Sequence, residues 1–73
     1  MADGKLEAKR RLKELLMAMS SRRDDLAAYR NKGDAAGVAR CEWALKYNYA
    51  RIRSHCARHD LELPRDVPSE GAA

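Results

Sequence analysis

Apolar residues recur every three or four positions over the first 30 residues, which is the spacing of one face of an α-helix. Asn31-Lys32-Gly33 then interrupts the pattern, and glycine readily takes the left-handed conformation that ends many helices. The apolar positions of this first stripe are Leu12, Leu15, Leu16, Met19, Leu26 and Tyr29. The pattern therefore predicts one helix that starts near Asp3-Gly4 and ends near Gly33.

A second apolar stripe follows directly and keeps the same helical spacing. Asp34 stands before it and is a residue type that caps helix N-termini, while Arg58 suits the negative C-terminal end. Pro64 stops any continuation. The apolar positions of this second stripe are Val38, Cys41, Leu45, Tyr49, Ile52 and Cys56. Since only a few residues separate the two stripes, we expect two antiparallel helices.

The two stripes predict an all-α fold, an antiparallel helical hairpin with a flexible C-terminal tail. We expect one helical domain over residues 1–63, with Leu61 and Leu63 folded back as a short strap. Residues 64–73 are expected to form a disordered tail, because they are polar and hold few apolar side chains.

One alternative concerns the middle of the first helix. Ser20-Ser21 followed by Asp24 resembles a helix-capping sequence, which predicts a break there and hence three helices. Met19 and Leu26 stay in phase with Leu12 across this point, however, and a new helix would not require that. The phase favours a continuous or kinked helix.

The composition limits the size of the core. The chain has 73 residues, of which 45% are hydrophobic and 36% charged, with a mean hydropathy of −0.71. A single domain of this size has only a marginal core, and pairing with a partner or a second copy would add burial. The absence of Phe, with only four Gly and two Pro, argues against a β-sandwich or barrel.

The net charge of +4 and the pI near 9.4 favour an anionic partner. No signal peptide is expected, because charges begin at Asp3 and Lys5, and the longest apolar run is too short to span a bilayer. Cys41 and Cys56 lie about 22 Å apart on one predicted helix, which is too far for a disulfide. Free thiols and the lack of a leader indicate a cytoplasmic protein, in the host cell cytoplasm if it is phage-encoded.

The segment 43–59 holds no acidic residue and includes the only tryptophan. Its basic and aromatic residues predict a contact face for a partner with an acidic surface. The members expected opposite the apolar stripe are Arg40, Trp43, Lys46, Tyr47 and Arg53, with Arg51 and Arg58 nearby. The alternative is that Trp43 and Tyr47 pack on a third helix, on the strap, or across a homodimer.

The first helix carries a second group of basic residues: Lys9, Arg10, Arg11, Lys13, Arg22 and Arg23. Glu7 and Glu14 are within reach as helix pairs, so a solvated face is one interpretation. Contact with phosphate or with an acidic protein groove is the other. Met17 points away from the core and is a candidate for contact with a partner or between two copies.

Catalysis is not expected, because a two-helix chain lacks a water-excluding cavity and no nucleophile–base pair or phosphate-binding loop is evident. No cofactor is predicted. His55 and His59 stand four residues apart beside Cys56, a spacing that can hold part of a zinc site, but no fourth ligand is evident. We therefore favour ordinary helix-end histidines and predict no metal.

The basic clusters Lys9 to Lys13, Arg22-Arg23 and Arg51, Arg53, Arg58 occur in a short, helical chain rich in Ala, Arg and Asp. In size and charge the chain resembles the small regulators of lytic bacteriophages, such as one from a Xanthomonas phage, that bind bacterial RNA polymerase. The resemblance implies docking on the largest polymerase subunits, inhibition of transcription initiation and suppression of termination. It also implies that basic side chains lie near the path of the exiting RNA.

The predicted function is therefore that of a small basic interaction protein that binds and regulates a larger host complex without catalysis. Sequence-tolerant nucleic-acid binding and homodimeric assembly remain the alternatives, and monomer and homodimer both stay open. The predicted partner-binding residues are Lys9, Arg10, Lys13, Met17, Arg22, Arg23, Arg40, Trp43, Lys46, Tyr47, Arg51, Arg53 and Arg58.

Overall fold

The computed structural model describes residues 2–69, and these form an antiparallel helical hairpin, as the two apolar stripes predict. Helix α1 spans Ala2–Lys32 and helix α2 spans Ala35–His59. Asp3, expected to cap α1, lies within that helix. The hairpin measures 49 × 24 × 16 Å, so it is a flat pair of helices. Over residues 2–69, neither helix contains an apolar stretch long enough to cross a bilayer.

Helix α1 is continuous through Ser20-Ser21, so the three-helix alternative is wrong. Both serines are exposed on the helix surface. Met19 and Leu26 are buried on the two sides of them and face α2 along one stripe. The shared burial of these residues stabilises a continuous helix more than a serine cap stabilises a break, because a cap contributes only about 1 kcal/mol.

The turn between the helices uses the two residues that the sequence indicates. Gly33 has a φ of +71°, and the amide of Asp34 donates to the carbonyl oxygen of Tyr29 at 3.0 Å, which completes a Schellman-type end for α1. The Asp34 side chain then accepts a hydrogen bond from the amide of Gly37 at 3.0 Å and caps α2. One aspartate therefore ends one helix and starts the next.

Gly37 allows the helices to approach each other closely beside this turn. A Cβ atom at position 37 would lie 2.6 Å from Cγ and 2.7 Å from Cε1 of the Tyr29 ring. Real side chains do not approach that closely, so the ring occupies the space that any larger residue at position 37 would need.

The core is a single cluster along the contact between the helices, and it extends to the segment that follows them. Its buried members are Met19, Leu26, Cys41, Leu45, Ile52, Cys56 and Val67. Leu61 and Leu63 are half-buried against the same cluster, as expected for the strap. Two arginines of the helices also hold this segment. Arg23 donates a hydrogen bond to the carbonyl oxygen of Asp66, and Arg53 donates one to the carbonyl oxygen of Pro68.

This packing differs from the expectation that residues 64–73 are disordered. Val67 is only 3% exposed, and residues 64–69 continue the strap across the hairpin. We use "strap" for residues 61–69 from here on. The composition predicts disorder because Val67 is the one large apolar residue of residues 64–73 apart from the prolines, and that valine reaches the core. Residues 70–73 of the expected tail lie outside the described part of the chain.

Candidate docking face and interhelical groove

The outer side of α2 carries two exposed aromatic rings. Trp43 is 71% exposed and Tyr47 is 55% exposed, and their rings are parallel within 2° with centroids 6.3 Å apart. The four-residue spacing places them one above the other on the helix. The guanidinium group of Arg51 lies 5.6 Å from the centre of the Tyr47 ring. Arg40, Trp43, Tyr47 and Arg51 together form what we call the α2 ridge.

A shallow groove of about 440 Å³ runs between the two helices beside this ridge. Helix α1 contributes one arginine and one leucine to it, and α2 contributes the remaining residues. The residues that line this interhelical groove are Arg11, Leu15, Tyr47, Ala50, Arg51, Ser54, His55 and Arg58. The lining therefore brings three arginines together and contains no carboxylate.

The groove arginines differ in their ion pairs. Arg11 lies 3.6 Å from Glu14 on the same helix, but both side chains are more than half exposed, so the pair contributes little. Among residues 4–69, Arg51 and Arg58 have no carboxylate within 4 Å, and neither does Arg40 on the ridge. The groove and the ridge are therefore cationic surfaces whose charge is largely uncompensated.

His55 forms the floor of the groove at the contact between the helices. Its Nε2 lies 2.7 Å from the carbonyl oxygen of Ala8, so this nitrogen carries a proton and donates it to α1. The His59 ring lies 4.6 Å from the His55 ring. No group of three or more potential metal ligands occurs in the described part of the chain. The hydrogen bond to Ala8 makes His55 a contact between the helices.

Two predicted members of the contact face lie on the other flank of α2. Arg53 follows Arg51 by two residues, which turns it about 200° around the helix. It is half-buried and donates to the carbonyl oxygen of Pro68 at 2.9 Å. Lys46 is exposed but lies on that same flank. The structure thus separates Arg53 and Lys46 from the ridge.

Arg23 was predicted to contact a partner, but its side chain is engaged within the molecule. Its guanidinium group donates to the hydroxyl of Tyr49 at 3.1 and 3.3 Å and to the carbonyl oxygen of Asp66. The neighbouring Arg22 is exposed and lies 3.7 Å from Asp25. Arg23 is therefore a structural residue that joins both helices to the strap.

The other predicted residues of α1 do not share the face of the ridge. Lys9 and Lys13 each lie two residues from Arg11, which places them about 200° around the helix from the groove. Arg10 pairs with Glu7 at 3.2 Å. Met17 is 64% exposed, as expected, but it lies on the back of α1. The basic residues of α1 thus surround the helix and form no single patch.

The sequence interpretation missed Arg11 as a groove residue, together with Ser54 and His55. A signal was present: Arg11 and Leu15 are four residues apart, as are Arg51 and His55. In an antiparallel pair these two short rows can face each other, but only the register of the hairpin shows that they do.

Both cysteines are buried and free, which agrees with the prediction of unpaired thiols. Burial raises the pKa of the Cys56 thiol above its ordinary value. Its sulfur lies 3.9 Å from the carbonyl oxygen of Glu62 at the start of the strap. A buried thiol with a raised pKa is a core residue and a poor nucleophile.

Neither a known family model, nor a curated protein, nor a solved structure gives a significant match to this chain. The fold defines the class: an all-α helical hairpin with a packed C-terminal strap.

Proposed function

We propose that this protein is a small basic interaction protein that binds a larger host complex and regulates it without catalysis. The α2 ridge would dock on an acidic surface of that complex. The observation that carries the proposal is the exposure of Trp43 and Tyr47 beside arginines that have no carboxylate partner in residues 4–69. Aromatic residues and arginine are the residue types enriched at protein interfaces.

The two rings provide enough surface to anchor a complex. A buried aromatic side chain covers about 150–250 Å², so covering the exposed parts of both rings yields about 6 kcal/mol before association costs are subtracted. Arg40 and Arg51 add long-range attraction to an acidic surface, which speeds the encounter more than it strengthens the final complex. The rings would thus hold the complex and the arginines would steer it.

Bacterial RNA polymerase, through its largest subunit, is the partner we propose. The support for it is the resemblance in size and charge to small phage regulators of that enzyme. Binding would inhibit initiation and suppress termination by occluding a site or trapping one conformation. The two free thiols support a cytoplasmic location for this role.

The proposal can be tested with immobilised protein and purified bacterial RNA polymerase. We expect capture of the polymerase by the wild-type protein, and its loss with Trp43→Ala and with the double variant Arg40→Glu, Arg51→Glu. Arg65→Glu is the matched control, because Arg65 is an exposed residue of the strap. Full capture by the Trp43→Ala variant would rule out docking through the ridge.

Failure of the wild-type protein to capture the polymerase would rule out this partner. In that case the same variants, applied to a nuclease-treated host lysate, test the ridge separately. A protein that the wild type captures and both ridge variants lose would support ridge docking on a different complex. A protein captured equally by all variants would contradict it.

A further inference from the structure

The interhelical groove shares Tyr47 and Arg51 with the ridge, but it also contains polar and charged groups that the proposed docking of the ridge does not use. Its two walls come from different helices, with Arg11 on α1 facing the α2 residues Arg51 and Arg58. Ser54 and His55 add polar groups between them. A groove with three guanidinium groups and no acidic lining residue attracts an anion.

The groove residues that α2 contributes lie in a row along the helix axis. Arg51 and Arg58 are seven residues apart on α2, which is about 10 Å along the helix axis. Tyr47 lies a further turn away at the other end of the groove, about 6 Å from Arg51 along the same axis. Cations arranged in a row suit a linear polyanion better than a single small anion.

We infer that the interhelical groove binds single-stranded nucleic acid. The three arginines contact successive phosphates, and a base stacks on the Tyr47 ring in the place that the Arg51 guanidinium leaves when it turns to its phosphate. Arginine pairs readily with phosphate, and base–aromatic stacking tolerates any sequence. In a duplex the base faces are covered by their neighbours, so the ring would have nothing to stack on. An acidic peptide would pair with the arginines but would offer Tyr47 a planar group only where it holds an aromatic residue, whereas every nucleotide carries a planar base.

This inference does not depend on the protein partner proposed above. The groove lies beside the ridge, and Tyr47 and Arg51 are the residues that the two surfaces share. A protein that docks through Trp43 and also holds a single strand would suit a complex that already contains exposed nucleic acid.

The test is a titration of the full-length protein with a single-stranded oligothymidylate of about ten nucleotides. Trp43 is the only tryptophan and stacks with Tyr47, so its fluorescence reports binding next to the groove. Three neutralised phosphates on a single strand predict a slope of log K against log salt of about −2, at roughly 0.7 for each contact.

Variants of single groove residues sharpen the test. Arg58→Gln and Arg11→Gln should each reduce the magnitude of the salt slope by about 0.7. Tyr47→Leu should weaken binding by roughly 5- to 150-fold with little change in the slope, because it removes stacking and no charge. Circular dichroism of each variant shows whether the helices are intact.

Lys13→Gln is the matched control, since it removes one exposed positive charge on the side of α1 away from the groove. An unchanged slope for Lys13→Gln supports a defined groove, whereas an equal loss would show only general attraction to a basic protein. An oligoglutamate that binds more tightly than the oligonucleotide would identify the groove as a site for acidic protein. Absence of oligonucleotide binding at low salt would also overturn the inference.

Discussion

Arg51 and Arg53 stand two residues apart on α2, and the helix turns them to opposite sides. Arg51 lies over the exposed Tyr47 ring, while Arg53 donates to the carbonyl oxygen of Pro68 in the strap. The same residue type therefore belongs to the proposed docking surface in one case and supports the fold in the other. The difference comes from helix periodicity, because the strap covers only one flank of α2.

The two arginines should respond differently to the same substitution. Arg53→Gln removes a hydrogen bond between a charged donor and the strap, and we expect it to lower the free energy of unfolding by about 1 kcal/mol. Arg51→Gln should leave stability within about 0.5 kcal/mol, since its side chain is exposed, and should weaken partner binding. Urea unfolding followed by circular dichroism measures the stability of both variants. Equal stability losses would contradict the separation of roles.

Gly37 is a second residue whose role is set by one neighbour. We expect Gly37→Ala to lower the free energy of unfolding by about 1–3 kcal/mol, because the new Cβ displaces the Tyr29 ring. Gly4→Ala is the control: its Cβ would meet nothing within 4 Å, and alanine favours the helix by about 1 kcal/mol. A Gly37→Ala protein that is more stable than the wild type would show that the ring moves aside without cost.

The two ends of helix α2 depend on aspartates in opposite ways. Asp34 caps the start of α2 with its side chain. Asp60 ends α2 in the left-handed conformation, with φ 53° and ψ 49°, and the amide of Leu61 donates to the carbonyl oxygen of Cys56 at 2.9 Å. A negative side chain suits the first position and is unfavourable at the second, since the helix C-terminus is itself negative.

Replacing Asp60 by glycine should therefore stabilise the protein. Glycine adopts the left-handed conformation without the steric cost of a Cβ, and the change also removes a negative charge from the helix end. We expect Asp60→Gly to raise the free energy of unfolding by about 0.5–1 kcal/mol. The comparison variant Asp34→Ala should lower it by about 1 kcal/mol. Thermal unfolding distinguishes the two, and a destabilised Asp60→Gly protein would contradict this account of the helix end.

The helices could be predicted from the sequence because their signals are local. The turn at Gly33 and Asp34 is marked by residue types that suit it, and the apolar phase through Ser20-Ser21 outweighs the apparent cap. The start of α1 could not be placed in this way, because Asp3 resembles a cap but lies within the helix. Periodicity over several turns is stronger evidence than one capping residue.

The strap packs on one side of the flat pair of helices and enlarges its core. Val67 is buried in the same cluster as Ile52 and Cys56, 11 residues or more from either along the chain. Arg23 then joins the strap to α1 and, through the Tyr49 hydroxyl, to α2. A chain of 73 residues has few ways to enlarge its core, so this additional burial is a substantial share of it.

We expect Val67→Ala to lower the free energy of unfolding by about 1–3 kcal/mol, because it removes buried methyl groups from the core. Leu6→Ala should change it by less than about 0.5 kcal/mol, since Leu6 is an exposed residue of α1. Chemical denaturation of both variants measures these free energies of unfolding. No stability loss in Val67→Ala would mean that the strap does not pack on the hairpin in solution.

The strap and the groove could not be predicted from local patterns. A single valine in a polar segment resembles disorder until the surface it contacts is known, and Arg23 or Arg53 resembles a surface cation until the strap is placed. Arg11 joins the groove only through the register of the two helices. Each depends on contacts between residues distant in sequence, which composition and periodicity do not encode.

The proposed function requires the α2 ridge to be an exposed surface of the free protein and to become covered in the complex. Acrylamide quenching of the single tryptophan, measured from low to high micromolar protein, tests it most directly. We predict quenching of free Trp43 nearly as efficient as in the urea-unfolded chain, independent of protein concentration, and protection once the partner is added. Protection of Trp43 in the protein alone, increasing with its concentration, would contradict the proposal, because a second copy would then cover the ridge.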